Sequence, residues 1–152
     1  MSEDSIYVPG SNSWANTQVS AYESSNGAEQ GDLRGVPVII LTTRGRKSGA
    51  LRKAPLMRVS DGEKYAVIAS LGGAPEHPVW YLNLQAHPEV TLQDKDVTRR
   101  YRAHTAVAEE REQWWARAAA VWPDYNRYQL KTHREIPVVV LEPLDERPPL
   151  PE

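Results

Sequence analysis

Turn signals, not helices, separate the first three strand-like runs of this chain, and that order restricts its folds more than any other feature. Val36 to Thr43 (VPVIILTT) is rich in β-branched residues, a glycine-containing loop leads into a second run from Leu51 to Val59, and Asp61-Gly62 turns the chain into a third, Lys64 to Ser70. An Asp-Gly pair between such runs is a strong signal for a tight antiparallel hairpin. Two further strands, Glu89 to Gln93 and Thr98 to His104, flank the turn-like DKDV, and Ile136 to Leu141 reads as a buried closing strand. Pro55 sits in mid-strand, where it marks an edge, a bulge or a backbone that meets a ligand.

Helices enter around and after these strands. SNSWANTQVSAYESSNG is a candidate helix capped by Ser11 or Ser13 and ended by Gly27; Trp14, Gln18 and Tyr22 form a thin stripe with Ala15 and Val19 beside it, so it reads as a lid or flank. AEQGDLRG reads as a loop. Pro78 opens a short helix through Gln85, Glu109 to Val121 is helical, and Pro123 restarts a helix to about Lys131. Strands joined mostly by hairpins, with helices inserted late, predict an α+β fold built on an antiparallel barrel or half-barrel of about six strands. Strands and helices do not alternate, which disfavours a Rossmann layout.

With 152 residues, 40% of them hydrophobic, the chain fits one domain over residues 13–143, preceded by a loose polar start (1–12) and followed by a Pro-rich tail (144–152). Cysteine is absent, so a disulfide framework, a thiolate metal site and a cysteine nucleophile are excluded, and redox chemistry needs a borrowed group. The four histidines show no metal-ligand spacing, and no GxSxG anchors a hydrolase triad. No signal-like or membrane-spanning stretch appears, which predicts a cytoplasmic protein.

Charge is segregated. From Leu33 to Ser60 there are seven cations and no carboxylate, while the remainder carries 11 cations against 20 carboxylates, so a +7 segment faces a −9 remainder. This distribution points to a localised anion site, with a solvated basic hairpin as the alternative. GRKSG is not a P-loop, because Lys47 follows Arg46 instead of glycine and no helix comes after it. Gly45 and Gly49 would instead let backbone amides point inward, while Arg46 and Lys47 supply charge. Strand alternation puts Arg52 and Arg58 on one face and Lys53 on the other, an arrangement that an extended polyanion uses better than one small ion. The segment Thr42–Arg58 holds no aromatic residue, which argues against a single-stranded nucleic-acid binder. ASLGGAPEHP offers close backbone approach followed by a helix start, which is either a phosphate-site signal or an ordinary loop. Tyr125 and Tyr128 share one helical face, as a pocket wall or a packing face, while Trp115, Ala118, Ala119 and Trp122 read as core.

Taken in order, TTRGRKSG, R-x-x-PL, AS-x-GG, HPVWYLNLQAHPEV, WPDYNRYQ and IPVVVLEP resemble the deazaflavin-dependent nitroreductase family of actinobacteria and related microbes, from about Gly27 to Pro143. The resemblance implies a split β-barrel related to flavin reductases. It also implies coenzyme F420, a deazaflavin with a phosphate and a polyglutamate tail. On this likeness Arg46, Lys47 and Ser48, then Arg52, Lys53, Ala54, Pro55, Leu56 and Met57, would hold the phosphate and tail. Ile68, Ala69, Ser70 and Leu71 would lie along the ring through their backbone, and Val79, Trp80, Tyr81, Leu82 and Asn83 would close the pocket. Tyr125 would approach the coenzyme from the substrate side, with Trp122 and Tyr128 lining the substrate space.

The chain departs from the family pattern at Leu71, where lysine is common, and at Trp122, a frequent tyrosine, so substrate preference is not carried over. The implied activity is hydride transfer to a small electron-poor acceptor, a quinone, an activated enone or a nitroaromatic, with the proton coming from Tyr128, Ser70 or solvent. FMN on the same barrel and a non-catalytic coenzyme carrier are the alternatives. Apolar acceptors would place Trp14 and Tyr22 of the first helix against the inner face of a membrane. Oligomeric state is left open.

Overall fold

The computed structural model describes residues 13–144. The expected loose start (1–12), with Ser11 as a cap, and all of the tail after residue 144 lie outside these residues. The expected helices are found at α1 (Ser13–Ser24), α2 (Val79–Ala86), α3 (Ala108–Val121) and α4 (Asp124–Lys131).

The strands are β1 (Asp32–Leu33), β2 (Val36–Arg44), β3 (Leu51–Met57), β4 (Val59–Asp61), β5 (Lys64–Ile68), β6 (Glu89–Asp94), β7 (Val97–Thr105) and β8 (Val138–Pro143). All pairings are antiparallel, in the order β1-β2-β6-β7-β8-β5-β4, with β3 also on β2. The sheet is thus the antiparallel half-barrel expected, with eight strands among the described residues in place of about six. One difference comes from the loop AEQGDLRG, whose Asp32–Leu33 pairs with Val36 and Pro37. The other is functional for the fold: the run read as one strand, Leu51–Val59, bends at Arg58. Its first half pairs with β2 and its second, β4, with β5, so one bent strand touches both flanks of the sheet and curls it. Arg58 secures the bend by donating its backbone N–H to Pro37 O (2.7 Å) and by an ion pair with Asp94 at the end of β6 (3.3 Å).

Alternation along the strands sends residues to opposite faces and so to separate cores. Ile39, Leu41, Val67, Leu92, Tyr101, Val139 and Leu141 fill the inside of the curl, joined by Tyr81 and Leu84 of α2. Ala66, Ile68, Val138 and Val140 face outward beneath Trp114 and Ala118 of α3 and Tyr125 of α4. Val38 and Ile40 face outward on the other side, beneath Val19 and Tyr22 of α1.

The first helix is a flank, as its thin stripe implies, but that stripe is consumed by the fold. Gln18, Val19 and Tyr22 are buried, and the Tyr22 hydroxyl accepts the backbone N–H of Lys95 (2.7 Å). Contact of Tyr22 with a membrane is therefore ruled out; the side chain of Trp14 lies outside the described residues. No described helix is long and apolar enough to cross a membrane.

Candidate active site

A cleft of about 260 Å³ opens where β3, the end of β5 and the α3–α4 corner meet. Its walls are Pro55, Leu56 and Met57 from β3, Ile68, Ser70, Leu71 and Gly72 from the end of β5, Pro78 and Trp80 at the start of α2, and Trp122, Tyr125 and Tyr128 from the corner, with Leu33 at the rim. Pro55 is tolerated because β3 pairs with β2 alone, which makes it an edge strand, and the same proline contributes to the cleft wall.

The lining side chains are mostly apolar and aromatic, with polar groups from Ser70, Trp122 and the two tyrosines among them, the composition of a small-molecule site. Its volume sits just under the usual range of about 300–1,000 Å³. A cavity of this size is on the scale of one ring system.

The corner places its aromatic groups by helix geometry. Tyr125 and Tyr128, three apart on α4, stand edge-to-face with centroids 6.1 Å apart. Tyr125 is buried, with Trp115 packed at 6.4 Å; burial first, then the neighbouring Tyr128, pushes its phenol up to about 12. Trp122, at the end of α3, donates its indole N–H to the Tyr128 hydroxyl oxygen (3.2 Å). Tyr128 therefore keeps its own O–H to donate elsewhere. Arg34 on the neighbouring hairpin lies 6.0 Å over the Trp122 ring.

The basic hairpin behaves differently from the expectation of inward-pointing amides. Gly45 N–H bonds Ala50 O (2.7 Å), Gly49 N–H bonds Gly45 O (3.0 Å), and Ala50 N–H bonds the Ser48 hydroxyl (3.1 Å). The loop closes on itself, so these donors are spent. Arg46 N–H is also taken, by Oδ1 of buried Asn83 (3.1 Å), whose amide nitrogen donates to Thr43 Oγ1 (3.2 Å). The hairpin can meet an anion through side chains: Arg46, Lys47 and Ser48 are exposed at its tip. Lys53 pairs with Glu23 of α1 and Arg58 with Asp94, so part of the excess charge is used structurally.

Of the residues proposed for a site, Pro55, Leu56, Met57, Ile68, Ser70, Leu71, Trp80, Trp122, Tyr125 and Tyr128 come together in the cleft. Within Val79–Asn83 only Trp80 lines it. Val79 is 67% exposed, Leu82 packs on the inner core, Tyr81 is buried there with its hydroxyl beside Thr105 Oγ1 (3.2 Å), and Asn83 anchors the hairpin. Ala69 is buried with its carbonyl accepting from Arg134 (3.1 Å), and Ala54 and Arg52 lie along β3 outside the lining.

Leu33 is a lining residue that the sequence reading passed over, while Gly72 and Pro78, which it singled out within ASLGGAPEHP, line the cleft as well. For Leu33 the signal was a lone apolar residue in a polar loop. Away from the cleft the fold gathers His104, Glu110 and Glu142, with ligand-capable atoms within 4.8 Å of one another; they form a hydrogen-bonded polar cluster at the surface that shares no residue with the lining.

Residues 14–143 match the family model of F420H(2)-dependent quinone reductases. The chain belongs to that family. Among its relatives, an F420H(2)-dependent quinone reductase of Mycobacterium tuberculosis, Rv1261c, is 32% identical over 126 residues, 79% of this chain and 83% of the relative. A solved F420-H2 dependent reductase, FDR-A, is 48% identical, covering 70% of this chain and 94% of its own with a TM-score of 0.67. A further solved chain, described as a domain-swapped dimer, is 42% identical with a TM-score of 0.68 and covers 84% of this chain and 100% of its own. Membership makes the protein an oxidoreductase.

Proposed function

We propose that this family member binds reduced F420 with its ring in the cleft, between β3 and the Ile68–Gly72 wall, and passes its hydride to a quinone held against Trp122 and Tyr128. The observation that carries this reading is the cleft itself: lined mainly by apolar and aromatic side chains, on the scale of one ring system, and walled on one side by β3, the strand that follows the hairpin of exposed Arg46 and Lys47. When bound, the coenzyme supplies a hydride from carbon 5 of its deazaflavin ring, and the protein binds, orients and shields. Apolar walls exclude water from the reacting faces, and packing fixes the approach of the acceptor. Tyr128, its oxygen held by the indole of Trp122, donates its hydroxyl proton toward the oxygen of the reduced acceptor. Buried Tyr125, whose raised pKa keeps it protonated, forms a neutral wall beneath it.

The phosphate and polyglutamate tail would leave the slot along the exposed hairpin, where Arg46, Lys47 and Arg52 offer charge without the spent backbone amides. An FMN enzyme needs fewer cations, because its single phosphate carries about two charges. Parallel titrations of oxidised F420 and FMN, followed by anaerobic oxidation of F420H2 by a quinone, test the assignment. Micromolar F420 binding with quinone-dependent turnover is expected; tight FMN binding with none for F420 would overturn it.

A further inference from the structure

We propose that Arg134 is a positioning residue for this cleft: its guanidinium grips the back of the Ser70–Ala74 turn and thereby sets the wall against which the coenzyme ring would lie. The inference rests on the coenzyme occupying the cleft as proposed above. Arg134 donates to Ala69 O (3.1 Å), Ser70 O (2.8 Å) and Ala74 O (2.9 Å), and it contacts His77 Nδ1 at 3.1 Å. Its own carbonyl is held by the Gln129 side chain of α4 (2.8 Å), which also accepts the Ile136 N–H (2.9 Å). One side chain thus ties the segment after α4 to the turn that follows β5 and to the residue before Pro78.

That turn needs holding. The strand ends at Ile68, so no sheet ladder reaches Leu71–Gly73, and all three residues have positive φ (45°, 63° and 87°). For Leu71, which has a Cβ and is half exposed, this conformation costs about 1–2 kcal/mol and persists only when the surroundings impose it. The carbonyls that Arg134 takes are those flanking this turn, and drawing them backward leaves Ser70, Leu71 and Gly72 facing the cleft. A lysine could not replace it, since reaching several acceptors at once requires the planar fork of arginine.

His77 completes the clamp only while neutral, with Nδ1 as acceptor. Burial, then the charge of Arg134, lowers its pKa below the ordinary histidine value, so it is neutral at neutral pH. The groups around this corner are Arg134, the nearby Glu76, the Tyr81 ring of α2 at 4.9 Å from the imidazole, and Lys131 of α4 against Gly73. Protonation of His77 removes the acceptor and sets two cations together, so the turn loosens in acid.

The test has a readout that needs no coenzyme. In apo Arg134→Lys, hydrogen exchange at the Gly73 and Ala74 amides should quicken about ten-fold, as expected for losing one to two net hydrogen bonds, while Leu92 and Tyr101 amides in the sheet stay protected. Affinity for oxidised F420 should fall by about the same factor. As a second variant, His77→Asn retains an acceptor but cannot titrate. The wild type should lose coenzyme affinity relative to this variant as pH falls below the histidine range, the coenzyme's own ionisation cancelling in the ratio. Uniformly faster exchange across the sheet with unchanged coenzyme affinity, or a pH-independent ratio, would overturn the assignment. If the wild type binds no coenzyme yet the local exchange effect appears, Arg134 still holds the turn and the ligand reading alone fails.

Discussion

Tyr128 has a proton to give. Its oxygen accepts the Trp122 indole N–H at 3.2 Å, which leaves its O–H uncommitted to that partner, and its ring stands edge-on against Tyr125. Tyr128→Phe keeps the ring packing and removes the proton. Turnover is expected to fall about 100-fold, the lower end for a general acid, with the dissociation constant for oxidised F420 changed by less than about two-fold. Stopped-flow oxidation of F420H2 and a fluorescence titration separate the two quantities, and parallel losses in both would remove the role. The pair Tyr125 and Tyr128 was legible from spacing alone, since residues three apart share a helical face. Arg134 was not legible, because its partners are backbone carbonyls 60 to 65 positions away and carry no residue signature.

Among the elements, the strand-to-helix connection after β5 tolerates little change. A Cβ on Gly73 would lie 2.7 Å from Tyr128 O, in a backbone with φ of 87°. Gly73→Ala therefore combines backbone strain with a clash against α4, for an expected loss of about 2–4 kcal/mol in urea unfolding. Because the clash pushes α4 from the turn, coenzyme affinity should fall as well; a stable variant with normal binding would mean that the turn and α4 are not rigidly joined. Most elements were readable because period-2 burial and Gly or Pro punctuation agree with local propensity. The break at Arg58 was hidden inside a continuous strand-forming run, since closing a barrel is decided by pairing partners far away in sequence. The hairpin's inward amides failed for a related reason: glycine permits many conformations, and this loop uses its donors to close on itself.

Across the whole molecule, each of the three cores carries tyrosine that must stay neutral. Tyr22 on the buried side of α1, Tyr101 inside the curl beside Tyr65, and Tyr125 on the buried side of α4 all have phenols raised above their ordinary value of 10, with burial as the first cause in each. Tyr65 also donates to Asp94 (2.6 Å), whose negative charge opposes ionisation further. The sign follows from proton counting: above about pH 10 the unfolded chain has released these protons and the native state has not, so stability present below pH 10 is lost as pH rises. For Tyr125 the window runs from 10 to about 12, and its share is about 1.4 kcal/mol per pH unit within it. Urea unfolding at a series of alkaline pH values should therefore show steepening loss of stability, and Tyr125→Phe should shed that share of the slope while remaining folded near neutrality. Phenolate absorbance supplies the independent check: in the native protein a group of tyrosines should titrate above the value seen in urea. If every tyrosine titrated near 10 in the native state, the cores would be open to water, and a cleft wall built on buried Tyr125 would lose its physical basis.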